Sequence, residues 1–588
     1  MSPLIAFDHV RFQYETAEGT AILALRDISV SIQPGEFVAV VGANGSGKST
    51  FARLAAALLH PAEGRVLVDD LDTRDAHNRS KIHAAVGMVF QFPEDQIVST
   101  TVEEDVAFGP ENLGLPRDEI RRRVDSALRD LGIDELRRRP PHLLSAGQTQ
   151  RVALAGVLAM LPRCVVFDEA STMLDPAGRR ALIQSMQHLH AQGTTVICVT
   201  HFMDEAALAD RILVFDQGRL AIDGPPIEVF SDPARLTALR LDLPPAGRVA
   251  AALRVSLPDL RRDLLTMPEL LAALPTYNGK LPAAPAAQGA AVYRSETVRP
   301  IIEVDDLEFT YMIGSPLAQR ALHNAHLRVE QGQAHGLLGM TGSGKSTLMQ
   351  HLNALLHPQA GSVRVGRFDL SSPNVDRREV VREVGLVFQN PETQFFEYFV
   401  GDEISYGPRQ LKIEEPLAER VRWAMQQVDL DFEQFKDRPL RALSGGERRK
   451  VALASTLALK PSILLLDEPT AGLDPYSRRE LLNKLAAMRR GGLTILLSSH
   501  RMEDLSVLTS ALTVYHKGED VLSGPTAQVF SQPELLQQYG LVPPVSVQTA
   551  AVMRAKGWPL PENVLTSDML REAVARIVQS AGTVGAAP

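Results

Sequence analysis

The stretch VVGANGSGKST at residues 40–50 decides the fold, since it returns as LLGMTGSGKST at residues 337–347. Each copy matches G-x-x-x-x-G-K-[ST] between an apolar run and a helical segment, which is the pattern of a phosphate-cradling loop. Glycines let backbone N–H groups converge on phosphate oxygens, and the following helix presents its positive N-terminal end. The residues of the two predicted loops are Gly42, Asn44, Gly45, Ser46, Gly47, Lys48, Ser49 and Thr50, and Gly339, Thr341, Gly342, Ser343, Gly344, Lys345, Ser346 and Thr347.

The repetition extends outward from these loops. VGMVFQFPEDQ at 86–96 returns as VGLVFQNPETQ at 384–394, and VVFDEASTMLDP at 165–176 returns as LLLDEPTAGLDP at 464–475. LSAGQ at 144–148 returns as LSGGE at 443–447, and a nearly constant offset separates all these pairs. Self-similarity on this scale indicates tandem domains, which also suits a chain of 588 residues. We place the first domain at residues 1–275 and the second at residues 301–588.

Each repeat alternates apolar runs such as GEFVAVVG and TTVICVTH with helical segments such as RRALIQSMQHLHAQ. This alternation predicts an α/β fold with a mostly parallel sheet. The last part of each repeat reads as short helices, which predicts a small C-terminal helical appendage. Residues 276–300 are rich in Ala, Pro and Gly, and we expect a flexible linker there with an end-to-end distance of about 25–30 Å.

The remaining repeated residues suit nucleotide chemistry. Lys48 and Lys345 are placed to contact the β- and γ-phosphates, and Ser49 and Ser346 to hold Mg²⁺. Two acidic residues follow an apolar strand in each repeat, which suits one carboxylate for the Mg²⁺ shell and the next for polarising the attacking water. Asp168 and Asp467 are assigned to the metal, and Glu169 and Glu468 are assigned as catalytic residues together with His201 and His500. Gln91, Gln389, His201 and His500 follow neighbouring strands and are predicted to sense the γ-phosphate, the glutamines through Mg²⁺ or water.

Composition restricts the function classes. The formal net charge is −9, so a general nucleic-acid binder, which needs a positive surface, is disfavoured. The two cysteines lie in apolar runs and read as reduced core thiols of a cytosolic protein. The apolar stretches stop short of the roughly 18–20 residues of a membrane span, and the N-terminus lacks a secretory pattern. Any role at a membrane is therefore expected to require a partner.

The order of these motifs resembles that of the nucleotide-binding domain of ABC ATPases. The motifs are the phosphate loop, the Gln, LSxG, the D-E pair, LDP and the strand-terminal His. The resemblance spans nearly both repeats and implies ATP and Mg²⁺ as ligands. It implies that Tyr14 and Tyr311 stack on adenine. It also implies that the two repeats form a head-to-tail pseudo-dimer, with Asp175 and Asp474 of the LDP turns at the shared interface.

In this arrangement each ATP lies between the phosphate loop of one repeat and the LSxG phrase of the other. The implied partners of the Lys48 site are Ser444, Gly445, Gly446 and Glu447, and those of the Lys345 site are Ser145, Ala146, Gly147 and Gln148. Ala146 replaces the usual glycine, and its methyl group costs about 1–2 kcal/mol if the position needs positive φ. We therefore expect two ATP sites, with the Lys345 site the slower.

The segments after each Gln resemble the paired ATPases of energy-coupling factor transporters, which import vitamins and transition-metal ions. The resemblance implies a peripheral location on the cytoplasmic face of the membrane. It also implies a transmembrane scaffold subunit (EcfT-like) and a substrate-binding membrane protein as partners. Glu103, Glu104, Asp105, Asp402 and Glu403 are candidates for contacting that scaffold, or else ordinary acidic helix starts. The alternatives are the tandem ATPase of a sugar importer, a soluble ABC-F type factor acting on ribosomes, and a scaffold without ATPase activity.

Overall fold

The computed structural model describes residues 2–15, 21–172, 174–277, 300–315 and 318–583, with the backbone alone at 146 and 581–583. The contacts divide the chain into two compact units. Unit 1 comprises Met1–Gly247 and Asp474–Tyr476, and unit 2 comprises Arg248–Leu473 and Ser477–Pro588. Most of the proposed linker, residues 278–299, lies outside the described residues, and the domain boundaries assigned from the sequence stay predictions.

The first repeat contains two sheets. Its strands are β1 (Ile5–Glu15), β2 (Ala21–Ile32), β3 (Phe37–Gly42), β4 (Glu63–Val68), β5 (Leu71–Asp72), β6 (Val86–Val89), β7 (Cys164–Asp168), β8 (Thr195–Val199), β9 (Arg211–Asp216) and β10 (Arg219–Gly224). A four-stranded antiparallel sheet has the order β2-β1-β4-β5, and a six-stranded sheet has the order β10-β9-β3-β8-β7-β6. In the larger sheet only the β9–β10 pair is antiparallel, as in the register Arg219 opposite Asp216.

Helices cover these sheets and form the region around the LSAGQ phrase. They are α1 (Lys48–Ala55), α2 (Arg79–Ala85), α3 (Val102–Asn112), α4 (Arg117–Asp130), α5 (Ala146–Leu158), α6 (Pro176–Ala191), α7 (Met203–Ala206), α8 (Pro226–Val229), α9 (Pro233–Ala238), α10 (Pro245–Arg254) and α11 (Met267–Ala273). Single 3₁₀ turns occupy Ala76–Asn78, Pro93–Asp95, Asp134–Leu136 and Pro141–Leu143.

The second repeat also has a four-stranded and a six-stranded sheet, with the strand orders of the first. Its strands are β11 (Ile302–Tyr311), β12 (Gln319–Val329), β13 (Ala334–Leu338), β14 (Ala360–Val365), β15 (Phe368–Asp369), β16 (Val384–Val387), β17 (Ile463–Asp467), β18 (Thr494–Ser498), β19 (Ala511–His516) and β20 (Glu519–Pro525). Its helices are α12 (Lys345–Leu352), α13 (Arg377–Glu383), α14 (Val400–Gln410), α15 (Leu417–Gln427), α16 (Phe432–Phe435), α17 (Gly445–Leu457), α18 (Pro475–Arg490), α19 (Met502–Leu508), α20 (Thr526–Phe530), α21 (Pro533–Gln538), α22 (Val545–Ala555) and α23 (Ser567–Thr583), with 3₁₀ turns at Pro391–Gln394 and Leu440–Ala442.

The central parallel strands form the core of each unit. Every residue of β3, β7 and β8 is buried, and the same holds for β13, β17 and β18. Parallel strands covered on both faces require continuous apolar runs, and the sequence supplies them. Cys164 and Cys198 lie on two of these strands as buried free thiols. The predicted α/β fold with two tandem domains and parallel sheets is confirmed.

The end of the first repeat is built into unit 2. Trp558 Nε1 donates to the carbonyl of Pro275 at 2.9 Å, and Lys556 Nζ donates to that of Leu274 at 2.6 Å. The rings of Tyr277 and Trp558 lie 5.1 Å apart, and the Tyr277 N–H donates to the Lys556 carbonyl. The Lys556 ammonium therefore satisfies a carbonyl left without an intrahelical partner just after α11.

Candidate functional site

The predicted site residues gather at one edge of each six-stranded sheet. Neighbouring parallel strands end at a common edge, so the loops that follow them come together. In unit 1 the phosphate loop follows β3, the D-E pair ends β7, His201 follows β8 and Gln91 follows β6. Unit 2 repeats the arrangement with β13, β17, β18 and β16. The strand order thus explains why widely spaced motifs form one site.

The loop at residues 42–47 depends on glycine at its last position. Gly47 has φ 105°, and a Cβ there would lie 2.7 Å from the Ala24 carbonyl oxygen. Gly45 also has positive φ, at 77°, but a Cβ there would meet no atom within 4 Å, so it borders open space. Lys48 Nζ lies over the loop and donates to the carbonyls of Gly42 and Ala43, both at 3.0 Å. The loop is therefore closed around the ammonium group, with free space beside Gly45.

A serine and a carboxylate meet next to this lysine. Ser49 Oγ donates to Asp168 Oδ1 at 2.9 Å. Burial raises the pKa of Asp168, and the Ser49 hydrogen bond opposes that shift. Burial lowers the pKa of Lys48, while the charges of Glu169, Asp168 and Asp474 oppose it. The charges of Lys48 and Asp168 are therefore not fully compensated by their surroundings. Such a site suits the binding of a cation and an anion together.

Ser49 and Asp168 fit the way in which proteins bind Mg²⁺, with one or two oxygen ligands from the protein together with substrate phosphates. Among the described residues there is no group of three or more His, Cys, Asp or Glu that would enclose a metal alone. The buried Ser46 Oγ also has no hydrogen-bond partner within the described chain, which leaves a polar group available beside the loop. These features fit a magnesium nucleotide better than a free metal ion.

Glu169 and His201 form a close pair, with Oε1 and Nε2 at 2.5 Å. Burial alone would raise the pKa of Glu169, but the charge and hydrogen bond of His201 and the charge of Lys48 lower it below its usual value. The Glu169 backbone has φ 52°, in the left-handed region that a glutamate rarely adopts. Its N–H donates to the Val199 carbonyl at 3.0 Å, which holds that conformation and aims an ionised carboxylate at the loop.

The second repeat contains the same constellation with different details. Lys345 Nζ donates to the carbonyls of Gly339 at 2.8 Å and Met340 at 3.0 Å. Glu468, with φ 49°, lies 2.6 Å from His500, here through Nδ1. Burial opposes ionisation, but His500 and Lys345 lower the pKa of Glu468 to about 2. Asp467 accepts hydrogen bonds from Ser346 and Ser498, which oppose the rise in its pKa on burial. Both sites therefore present an ionised glutamate.

The remaining predicted contacts flank these loops. Tyr14 Oη lies 3.2 Å from Thr50 Oγ1, and Tyr311 Oη lies 3.2 Å from Thr347 Oγ1, so each ring sits beside the phosphate-loop helix. Gln91 is half-buried and Gln389 is exposed. The other loop residues, Asn44, Thr341, Gly342, Ser343 and Gly344, lie between the strand and the helix as expected.

The LSxG phrases are helix starts. Ser145 caps α5 in a capping box, because its N–H donates to Gln148 Oε1 and its Oγ accepts from the Gln148 N–H. Ser444 and Glu447 do the same for α17. The pattern S-x-x-[QE] is the sequence signal for such a cap, but these residues were predicted only as nucleotide contacts. Gly147 and Gly446 lie in the first turns of these helices.

Ala146 is the first residue of α5, so its backbone is helical. The matching Gly445 does not have positive φ, and a Cβ there would meet no atom within 4 Å. The condition under which alanine would cost about 1–2 kcal/mol, a left-handed backbone, does not hold. The slower turnover expected at the Lys345 site stays a prediction, but backbone strain is no longer a reason for it.

Two of the proposed scaffold contacts are turned inward. Asp105 accepts the N–H groups of Val98 and Ser99, and Glu403 accepts those of Phe396 and Glu397. Both carboxylates are buried, and burial raises the pKa of each. They hold the loop after the Gln and do not reach a partner surface, whereas Glu104 and Asp402 are exposed. Glu103 is paired with Arg137 at 2.8 Å.

A second buried carboxylate supports each site and was not found from the sequence. In unit 1 Glu205 accepts Ser171 Oγ at 3.0 Å and Thr200 Oγ1 at 2.5 Å, and it pairs with Arg179 Nε at 2.6 Å. In unit 2 Asp504 accepts Thr470 Oγ1 and pairs with Arg478. These groups join the loops that follow the D-E pair and the strand-terminal His. Each of these acids has a second acid beside it in a short helix, Asp204 and Glu503, so no local pattern marks the one that is buried.

Comparison with known proteins finds related sequences for both repeats. The family described as "ABC transporter" matches residues 25–172 and 322–471, together about half of the chain. A "Putative ABC transporter ATP-binding protein" of Methanosarcina acetivorans is 34% identical over 97% of this chain and 93% of its own length. The "Energy-coupling factor transporter ATP-binding protein EcfA1" of Symbiobacterium thermophilum is 52% identical over 46% of this chain and 97% of its own length.

Among solved structures, that of cbiO1 from Clostridium perfringens, part of the ABC transporter complex cbiONQ, is 36% identical. It covers 41% of this chain and 95% of its own, with a TM-score of 0.36. Within the described residues no helix combines the length and apolar character needed to cross a bilayer. The family match in both repeats, together with the relative that extends over nearly the whole chain, establishes the family. The chain belongs to the ABC transporter family, as an ATP-binding protein with two ABC domains that hydrolyse ATP.

Proposed function

We propose that the chain powers a membrane importer of the energy-coupling factor type, which takes up a vitamin or a transition-metal ion. The observation that carries this proposal is the 52% identity between about half of this chain and nearly the whole of an energy-coupling factor ATPase. The proposed partners are an EcfT-like transmembrane scaffold and a substrate-binding membrane protein. The proposed location is the cytoplasmic face of the membrane.

The proposed catalytic residues act from the edges of the two sheets. Lys48 and Lys345 bind the phosphates, and Ser49, Asp168, Ser346 and Asp467 hold Mg²⁺ together with Gln91 and Gln389. When bound, the ion neutralises charge on the phosphate oxygens. Glu169 and Glu468 accept the proton of the attacking water at a carboxylate oxygen, and the neighbouring His201 and His500 keep those carboxylates ionised and oriented. The close His–Glu pairs and the lowered pKa values of both glutamates support this assignment.

We further propose that each ATP is completed by the LSxG phrase of the other repeat, as the sequence resemblance implies. The capped, exposed starts of α5 and α17 support this role, because a helix N-terminus with free N–H groups attracts anions.

Affinity purification of the full chain from its native membranes tests the transporter type. We expect a hydrophobic scaffold and a small substrate-binding membrane protein to copurify in stoichiometric amounts. Recovery of a periplasmic sugar-binding system would favour the sugar-importer alternative, and recovery of ribosomes would favour the ABC-F alternative. A matched purification with an unrelated tagged cytosolic protein identifies background. Either of the two alternative outcomes would contradict the proposal.

Single-glutamate variants test whether the two sites differ. In Glu169→Gln only the Lys345 site turns over, and in Glu468→Gln only the Lys48 site does. The sequence predicts Glu169→Gln to be the slower variant, an order that backbone strain at Ala146 no longer supports. Phosphate release at saturating ATP gives the two rates directly. Faster turnover by Glu169→Gln than by Glu468→Gln would refute the expected order.

A further inference from the structure

Arg449, in the second turn of α17, connects two parts of the Lys345 site. Its Nη1 donates to the carbonyl of Glu468 at 2.9 Å, and its Nη2 donates to the carbonyl of Gln389 at 3.1 Å. Burial lowers the pKa of this guanidinium to about 10, opposed by the charge of Glu468. The guanidinium is half-buried, and its two hydrogen bonds to backbone carbonyls hold it in place.

The first repeat differs at this position. Gln150 matches Arg449 in the two aligned phrases LSAGQTQRV and LSGGERRKV. Gln150 is 2% exposed, and its Nε2 has no hydrogen-bond partner among the described residues. The carbonyl of Glu169 accepts the N–H of Thr172, as that of Glu468 accepts the N–H of Ala471. Glu468 therefore has one more bond on its carbonyl, from Arg449.

We propose that Arg449 is a positioning residue for hydrolysis at the Lys345 site, which fixes the Glu468 carboxylate relative to the Gln389 loop. The inference rests on the catalytic role proposed for Glu468. It assigns Arg449 no contact with nucleotide, and it assigns the first repeat no equivalent residue.

Arg449 acts on a residue whose backbone is strained. With φ 49° this glutamate occupies a sparsely populated conformation, which costs of the order of 1–3 kcal/mol and persists only where surrounding bonds enforce it. Its N–H is held by Ser498, with the hydroxyl at 3.0 Å. Arg449 holds the opposite side of the residue through the carbonyl. The two bonds together restrict the orientation of the backbone at this residue. They therefore fix the direction of the Cα–Cβ bond, which points the carboxylate.

The second contact adds a relation between the carboxylate and the Gln389 loop. Gln394, further along that loop, donates through Nε2 to the Ala452 carbonyl at 3.1 Å and to Thr456 Oγ1 at 3.2 Å, both on α17. The loop is thus attached to α17 at several points, whereas Glu468 is attached to α17 by Arg449. Loss of Arg449 is expected to leave the loop in place and release the glutamate.

The test uses the full chain in a Glu169→Gln background, in which turnover reports the Lys345 site. We expect Arg449→Gln, which installs the residue of the first repeat, to lower kcat about tenfold with KM for ATP changed less than twofold, since a loss near 1.4 kcal/mol is tenfold in rate. Arg449→Lys keeps a donor and the charge, and we expect an intermediate kcat. Arg422→Gln, an exposed arginine on α15, is the matched control and should keep the rate of the background.

A kcat for Arg449→Gln within twofold of the background would overturn the proposal, and so would equal factors of change in kcat and in ATP affinity. If Arg449→Gln melts at a lower temperature than the Arg422→Gln control, Arg449→Lys carries the test with the same criteria. Glu468→Gln in the same background separates the two claims. Residual ATP turnover by the Glu169→Gln/Glu468→Gln variant would refute the catalytic role of Glu468. If that variant loses turnover while Arg449→Gln leaves kcat unchanged, only the present inference is refuted.

Discussion

Replacing Glu169 and Glu468 together with glutamine is expected to lower ATP turnover about 10²–10⁴-fold, the contribution typical of a general base. An amide has nearly the same shape as the carboxylate but cannot accept the proton of the attacking water. Lys48 and Lys345 remain closed over their loops, so ATP should still bind. Phosphate release measures the rate, and equilibrium binding of ATP by the variant measures retention.

The exposed pair Glu135→Gln and Glu562→Gln serves as the control, since it makes the same chemical change away from both sites. It should hydrolyse ATP at the parent rate. Parent-like turnover by the Glu169→Gln/Glu468→Gln variant would mean that other groups activate the water. The paired histidines would then be the next candidates.

The largest expected effect on stability is at Glu205. Glu205→Ala should lower the free energy of unfolding of unit 1 by about 3–5 kcal/mol, because it leaves the Arg179 guanidinium without its buried counter-charge. Two hydroxyls, of Ser171 and Thr200, lose their acceptor at the same time. Denaturant unfolding followed by fluorescence or circular dichroism measures the change.

Asp204 provides the comparison, since it pairs with the same arginine at 2.8 Å but is 42% exposed. Asp204→Ala should cost about 1 kcal/mol or less, as exposed ion pairs do. Equal costs for Glu205→Ala and Asp204→Ala would show that burial of the pair contributes nothing. The expected difference would then have to be abandoned.

The sequence predicted those parts of the site that lie on single strands or immediately after them. Lys48, Asp168 and His201 could be read because a buried parallel strand is a continuous apolar run, and its end marks the edge of the sheet. The repetition of the pattern in the second half removed the ambiguity that each motif has alone. The α/β class and the two tandem domains followed from the same signals.

Other features depend on contacts between residues far apart in the chain. Neither the pairing of Arg449 with the Gln389 carbonyl nor the left-handed backbone of Glu468 has a local pattern. Asp105 illustrates the opposite error, since an acid in the first turn of a helix reads as exposed until tertiary packing turns it toward a loop. Such outcomes depend on which surfaces meet, and hydrophobic periodicity does not encode that.

Because Tyr277 packs against Trp558, the peptide link is not the sole connection between the end of the first repeat and unit 2. Residues 248–277 group with unit 2, so the peptide chain passes from unit 1 into unit 2 before residue 278. A cut after that point would remove the peptide link and leave the hydrogen bonds of Lys556 and Trp558 intact. If the gene were split at this place, the two polypeptides would still share these contacts. The main effect of fusion would then be that the two repeats are produced in equal amounts.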